Sequence, residues 1–253
     1  MTAKRTSKNI GIVLAAGSGT RMKTTTKKQY LMLAGEPLVC YSLNAMNQSD
    51  LIDEIILVVA KGDVKRCQEE YIKPYGFHKV RAIVEGGSTR YFSVREALRT
   101  IEHDEGYLFI HDGARPFLET DLIDTLYHEV VEYGAVTAAV PAQDTIKIAD
   151  VNGLSLETPN RNSLWMIQTP QVFATSLLQK AYGKLETFLK QTNAETFEIT
   201  DDAMIVERLM GKAVKMVHAS YRNMKITTPE DLFIAETLLQ QSTMNQSYRN
   251  DSV

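Results

Sequence analysis

The chain has 253 residues, of which 44% are apolar, 8% aromatic and 23% charged, with a formal net charge of −3. This is an ordinary globular composition, long enough for one α/β domain with an elaboration and for a core that needs no disulfide or metal staple. The charge balance excludes a general basic footprint for nucleic acid, so an anionic ligand must be met by local clusters of cations. No stretch approaches the roughly 18 apolar residues of a membrane span.

M-T-A-K-R-T-S-K ahead of I-G-I-V-L-A-A-G has the outline of a charged leader, but the apolar run is short and passes straight into G-S-G-T-R. It reads as a buried strand of a cytoplasmic protein. Short apolar runs then alternate with longer amphipathic ones, the pattern of βαβ units on a mostly parallel sheet. Strands are expected at 10–16, 54–60, 80–85, 107–111, 136–141, 164–168 and 213–218. Helices are expected at 37–48, 63–73, 89–102, 121–133, 175–190, 201–210 and 229–240. The last opens on T-P-E-D, a capping box with proline at the first helical position. Cys40 and Cys67 fall in expected helices without C-x-x-C spacing, which reads as a reduced pair.

One region breaks the alternation. Within A-Q-D-T-I-K-I-A-D-V-N-G-L-S-L-E-T-P-N-R-N, Asn152-Gly153 separates two β-type runs and signals a hairpin. Inserted between sheet strands, it is expected to project as an arm over 142–163. A lone hairpin is marginally stable, which favours packing against something, such as a second subunit. The fold expected is therefore α/β, a Rossmann-like, mostly parallel sheet flanked by helices with a projecting β-hairpin arm. It forms a single domain over 9–240, followed by a disordered polar tail at 241–253.

L-A-A-G-S-G-T-R-M-K-T-T-T-K-K-Q-Y follows the first strand, where doubly wound sheets place ligands. A dinucleotide fingerprint would need a third glycine where Met22 stands, and the Walker A pattern is absent. What remains is G-x-G-x-R with lysines further on. Glycines let backbone amides wrap phosphate oxygens, while Arg21 adds a planar fork and Lys28 a point charge. Added cations suit a site where negative charge builds up during reaction.

Further along, E-G-G-S-T-R-Y-F-S-V puts paired glycines at a strand end, where a flat base can lie close to the backbone. Ser88 is a candidate helix cap there, and Arg90 and Ser93 face a ligand from the first turns. In H-D-G-A-R-P, Asp112 at the end of a strand can hold Mg²⁺ beside a polyphosphate, or serve as a cap or a salt-bridge partner of Arg115. His111 reads as a packed strand residue. Thr145, Arg161 and Thr169 can form a small anion site in or near the arm, and Lys225 can reach a phosphate. Two Y-x-x-x-K matches lack the glycine loop that a short-chain dehydrogenase needs and are set aside.

A-A-G-S-G-T-R-M with K-Q-Y, G-G-S-T-R-Y-F-S-V, H-D-G-A-R-P-F, D-T-I-K, R-N-S-L-W-M-I-Q-T-P-Q-V-F, T-D-D-A and N-M-K-I-T-T-P-E-D-L occur in this order. Together they closely resemble the 2-C-methyl-D-erythritol 4-phosphate cytidylyltransferase family of the non-mevalonate isoprenoid route. The nearest relative is the ribitol-5-phosphate cytidylyltransferase group, from which A-A-G, D-T-I-K and R-N-S-L-W set this chain apart. The resemblance implies that Ala15, Ala16, Gly17, Gly19, Arg21 and Lys28 wrap the CTP triphosphate, with Arg21 and Lys28 stabilising the transition state. It further implies that Gly86, Gly87 and Ser93 contact the cytidine and that Asp112 places Mg²⁺. Thr145 and Arg161, on an arm crossing a homodimer interface, would bind a sugar-alcohol phosphate with Thr169 and Lys225. Two positions depart from the family pattern: Lys27 stands where proline commonly precedes the K-Q-Y lysine, and Ser88 where aspartate often follows the paired glycines.

Overall fold

The computed structural model describes residues 7–17, 19, 22, 27–191 and 198–250. Its centre is a seven-stranded sheet in the order β11-β7-β10-β6-β1-β4-β5. The strands are β1 (Ile10–Ala15), β4 (Glu54–Val59), β5 (Val80–Glu85), β6 (Tyr107–Asp112), β7 (Ala135–Pro141), β10 (Trp165–Ala174) and β11 (Lys215–His218). β1 pairs in parallel with β4 and β6, as do β4 with β5 and β11 with β7. Only β10 runs antiparallel to its neighbours, β6 and β7. Strands sandwiched this way are covered on both faces, which is why β1 and β4 read as continuous apolar runs rather than alternating ones.

Two core clusters line the faces of the sheet. One joins Val13, Leu57, Phe109 and Val136 to α1 (Leu38–Gln48) and α5 (Thr120–Tyr133). The other joins Ile12, Val58 and Ile110 to α4 (Arg90–Leu98), α6 (Thr175–Gln191) and α7 (Asp202–Met210). Cys40 and Cys67 are both buried and free.

Several elements differ from the sequence expectation. The expected helix at 63–73 is α2 (Val64–Cys67) and α3 (Lys73–Tyr75) joined through a π turn at Gln68–Ile72. β10 is twice the expected length: pairing with β7 lapses between Ile167 and Gln171, around Pro170, and resumes beyond it. A small hairpin of β2 (Met32–Leu33) and β3 (Glu36–Pro37) turns through Ala34 and Gly35, both at positive φ. The final helix, α8 (Pro229–Asn250), continues through the segment from Gln241 expected to be disordered, a stretch free of proline and glycine. Its start is a reciprocal capping box in which Thr228 Oγ1 accepts from the Asp231 amide at 3.3 Å. Asp231 Oδ2 in turn accepts from the Thr228 amide at 2.9 Å.

The arm is present as β8 (Ile148–Ala149) paired with β9 (Ser155–Glu157). Asp150 Oδ1 accepts from the amides of Asn152 and Leu154, each at 2.9 Å, and Gly153 takes φ +82°, so the expected Asn-Gly turn closes the hairpin. At its base the Ala142 amide donates to Leu164 O.

Candidate active site

β1 lies where the chain order of the sheet reverses, with β4 on one side and β6 on the other, the crevice where open α/β sheets bind ligands. A cleft of about 380 Å³ opens there. Leu14–Gly17 at the exit of β1, Gly87 and Ser88 beyond β5, and Asp112 at the end of β6 form its walls. Lys28 and Lys225 supply cations from two further segments.

The two glycine-rich loops touch. A Cβ added at Gly86 would stand 2.5 Å from Ala16 Cβ and 2.7 Å from Ser93 Oγ, so glycine is what lets β5's exit close on the β1 loop. Gly19 takes φ +65°, a conformation that favours glycine, and packs tightly against the backbone and stem of Lys28. The helix that follows β5 is capped by Thr89, whose Oγ1 accepts from the Phe92 amide; Ser88, the expected cap, is exposed on the rim.

Asp112 is buried between cations. Lys225 Nζ lies 2.6 Å from Oδ2 and Arg90 Nε 3.4 Å from Oδ1. Burial alone would raise the Asp112 carboxyl, but the charges of Arg90, Lys225 and Arg115 outweigh it and hold the group well below the usual carboxylate range. Arg90 is itself fixed from behind: Nη1 donates to the fully buried Asp202 at 2.6 Å, and Tyr182 donates to the same carboxylate. Gln171 Oε1 accepts from the Asp202 and Ala203 amides, tying the start of α7 to β10. Desolvation pushes the Arg90 guanidinium down, yet Asp202 and Asp112 more than reverse that.

Beneath Asp112 runs a second chain of bonds. The Asp112 amide donates to Thr169 Oγ1 at 3.0 Å, and Thr169 bonds His111 Nδ1 at 3.1 Å. His111 Nε2 meets Arg115 O at 3.2 Å. One tautomer satisfies all of it: Nε2–H donates to the carbonyl and Nδ1 accepts the threonine hydroxyl. Burial lowers the His111 pKa to about 4, which agrees with a neutral, packed imidazole that has no place in the cleft wall.

The structure thus gathers Ala15, Ala16, Gly17, Lys28, Gly87, Ser93, Asp112 and Lys225 at the cleft, with Gly19 and Gly86 packed immediately behind it. Thr169 sits under Asp112 with its hydroxyl already engaged. Thr145 and Arg161 are exposed on the arm, where Arg161 Nη1 donates to Gln143 O at 3.0 Å. Arg21 lies outside the described residues. Asp202 was missed as a contributor, although it stands in T-D-D-A; its reach to Arg90, 112 residues away, has no local signature.

A family model described as 2-C-methyl-D-erythritol 4-phosphate cytidylyltransferase matches residues 10–241. The chain belongs to this family. It is accordingly a nucleotidyltransferase. A relative of that name from Lachnoclostridium phytofermentans is 46% identical over 230 residues, covering 91% of this chain and 95% of the relative. One from Clostridium acetobutylicum is 39% identical over 93% of this chain and 99% of its own length. The crystal structure of 4-diphosphocytidyl-2C-methyl-D-erythritol synthase from Anaerococcus prevotii superposes with a TM-score of 0.78 at 32% identity. The match covers 92% of this chain and 96% of that one. These matches favour the methylerythritol branch of the sequence reading over the ribitol one. Among the described residues, no helix is long and apolar enough to cross a membrane.

Proposed function

We propose that the enzyme joins CTP to 2-C-methyl-D-erythritol 4-phosphate, giving 4-diphosphocytidyl-2-C-methyl-D-erythritol and pyrophosphate in isoprenoid precursor synthesis. The observation that carries this reading is the convergence of Lys28, Lys225 and the ionised Asp112 on a glycine-walled cleft at the sheet's switch point. An oxygen of the substrate phosphate bonds to the α-phosphorus of CTP, and the α–β bridging bond breaks with its electron pair leaving on pyrophosphate. With a second pKa of about 6, the attacking phosphate is already largely a dianion at neutral pH, so no general base is needed. The buried His111 is consistent with that. Catalysis is positioning and charge stabilisation.

In this reading the amides of Ala15, Ala16, Gly17 and Gly19 wrap the triphosphate, while Arg21 and Lys28 meet the charge that builds on it. Gly86, Gly87 and Ser93 border the cytidine. Lys225 exchanges the Asp112 carboxylate for the substrate phosphate, joined by Thr145 and Arg161 from an arm. Thr169 acts by holding the Asp112 backbone. Asp112 would hold Mg²⁺ through its ionised carboxylate, whose Oδ2 becomes open to the ion when Lys225 turns to the substrate phosphate. The other ligands would be phosphate oxygens and water, the usual mode for this cation, which when bound neutralises phosphate charge. A homodimer is supported by the arm's surface: Ile148, Val151, Leu154 and Leu156 are exposed, and a two-stranded hairpin needs packing.

The test is pyrophosphate release from CTP, with methylerythritol phosphate and ribitol 5-phosphate offered in parallel and Lys28→Ala as the control. Turnover with the first substrate, little with the second, and a kcat loss on the order of 10²-fold in the control are expected. Equal use of ribitol 5-phosphate would remove the substrate assignment.

A further inference from the structure

Lys28 is a point charge on a flexible four-carbon stem, and its usefulness depends on where the chain holds its Cα. The residues on either side of it are tied to one oxygen. Lys27 Nζ lies 2.7 Å from Asp63 Oδ2, and Tyr30 OH donates to the same Oδ2 at 3.1 Å. Asp63 belongs to a different unit, the junction between β4 and α2, where its amide donates to Ala60 O and its carbonyl accepts from Cys67. It is well shielded, its side chain retaining 14% exposure. Tyr30 is locked further by stacking on Tyr71 with ring centroids 5.2 Å apart, by a contact of its hydroxyl with Cys67 Sγ, and by Arg66 over its ring. Between these anchors, Gln29 donates to Ala15 O at 2.6 Å and Lys28 Nζ reaches Ile226 O at 3.1 Å across the cleft.

We infer that Asp63 is a positioning residue for Lys28: by gripping Lys27 and Tyr30 it fixes the short 3-10 turn that aims the lysine into the cleft. This rests on the role given to Lys28 in the reading above. The backbone offers an independent handle. Lys27 has φ −59° and ψ 136°, inside the range that a proline ring imposes. A proline at 27 would therefore hold covalently the path that the ion pair holds electrostatically.

Steady-state kinetics on Asp63→Ala, Lys27→Met, Lys27→Pro, the double variant Lys27→Pro/Asp63→Ala, and Lys28→Ala test this. Asp63→Ala is expected to lower kcat about 10- to 100-fold, the range of a slight misplacement of a reacting group, with KM for CTP changed less than about threefold. Lys27→Met, which breaks the pair from its solvent side without threatening the fold, should fall in the same direction, whereas Lys27→Pro stays near wild type. The double variant should recover most of the kcat lost by Asp63→Ala, which a merely structural role for Asp63 would not allow. The inference is overturned if Lys27→Met and Lys27→Pro behave alike, or if the double variant is no faster than Asp63→Ala. Wild-type turnover in Lys28→Ala would instead remove the reading on which the inference stands.

Discussion

At the end of β6, Asp112 is buried and bonded to Lys225, Arg90 and Thr169; Arg90 is held in turn by Asp202, to which Tyr182 donates, and Thr169 by His111. On the arm, Thr145 and Arg161 stand in solvent, and Arg161 holds the carbonyl of its own neighbour Gln143. The Asp112 side of the cleft is thus tied together by the protein's own bonds, at the cost of burying charges that must stay paired. The arm carries Thr145 and Arg161 on a scaffold with little core of its own. Its apolar residues Ile148, Val151, Leu154 and Leu156 are exposed.

This contrast breaks most visibly at Asp202. Asp202→Ala leaves the Arg90 guanidinium buried with one carboxylate gone, and a loss of about 3–5 kcal/mol of unfolding free energy is expected by denaturant titration. Next in size is the pH response of the chain of bonds under Asp112. Because burial lowers His111 to about 4, the unfolded chain binds more protons between that value and its ordinary 6.5. Stability from this group is therefore complete above pH 6.5 and is lost as pH falls towards 4, amounting to about 3 kcal/mol by pH 4. Melting curves of wild type and His111→Asn should converge over that window; parallel curves would show that the imidazole is not held neutral.

The smallest effect on stability falls on the arm. Arg161→Ala should change unfolding free energy by no more than about 0.5 kcal/mol, as exposed substitutions do, yet raise KM for the sugar phosphate about tenfold or more. If the arm serves the neighbouring subunit, mixtures of inactive Arg161→Ala and Lys28→Ala protomers should regain activity after subunit exchange. No recovery in verified mixed dimers would confine the site to one chain and dissolve the contrast.

Much of this was legible in the sequence because it is local. The apolar run at 10–15, the T-P-E-D cap and Asn152-Gly153 each announce structure through a few adjacent residues, and the structure bears all three out. The cleft residues were legible because glycines and cations cluster at strand ends. What escaped was set by pairing at a distance. Asp202 is indistinguishable from any helix-opening acid until α7 is docked against Arg90. Thr169 reads as a ligand-facing hydroxyl from sequence; its bonds to the Asp112 amide and His111 arise because β10 returns antiparallel beside β6. The Lys27 ion pair with Asp63, 36 residues away, likewise has no local signature.

The contact between Gly86 and Ala16 limits how such a cleft can diversify. With 2.5 Å between a would-be Cβ at 86 and that of Ala16, the loop beside β5 cannot gain a side chain unless the loop after β1 gives way. A lineage, or an engineer, seeking to reshape the cleft through position 86 would have to make room at position 16 and at Ser93 in the same step. The three positions lie up to 77 residues apart in sequence yet share one contact, so a change at 86 sampled singly meets both neighbours at once.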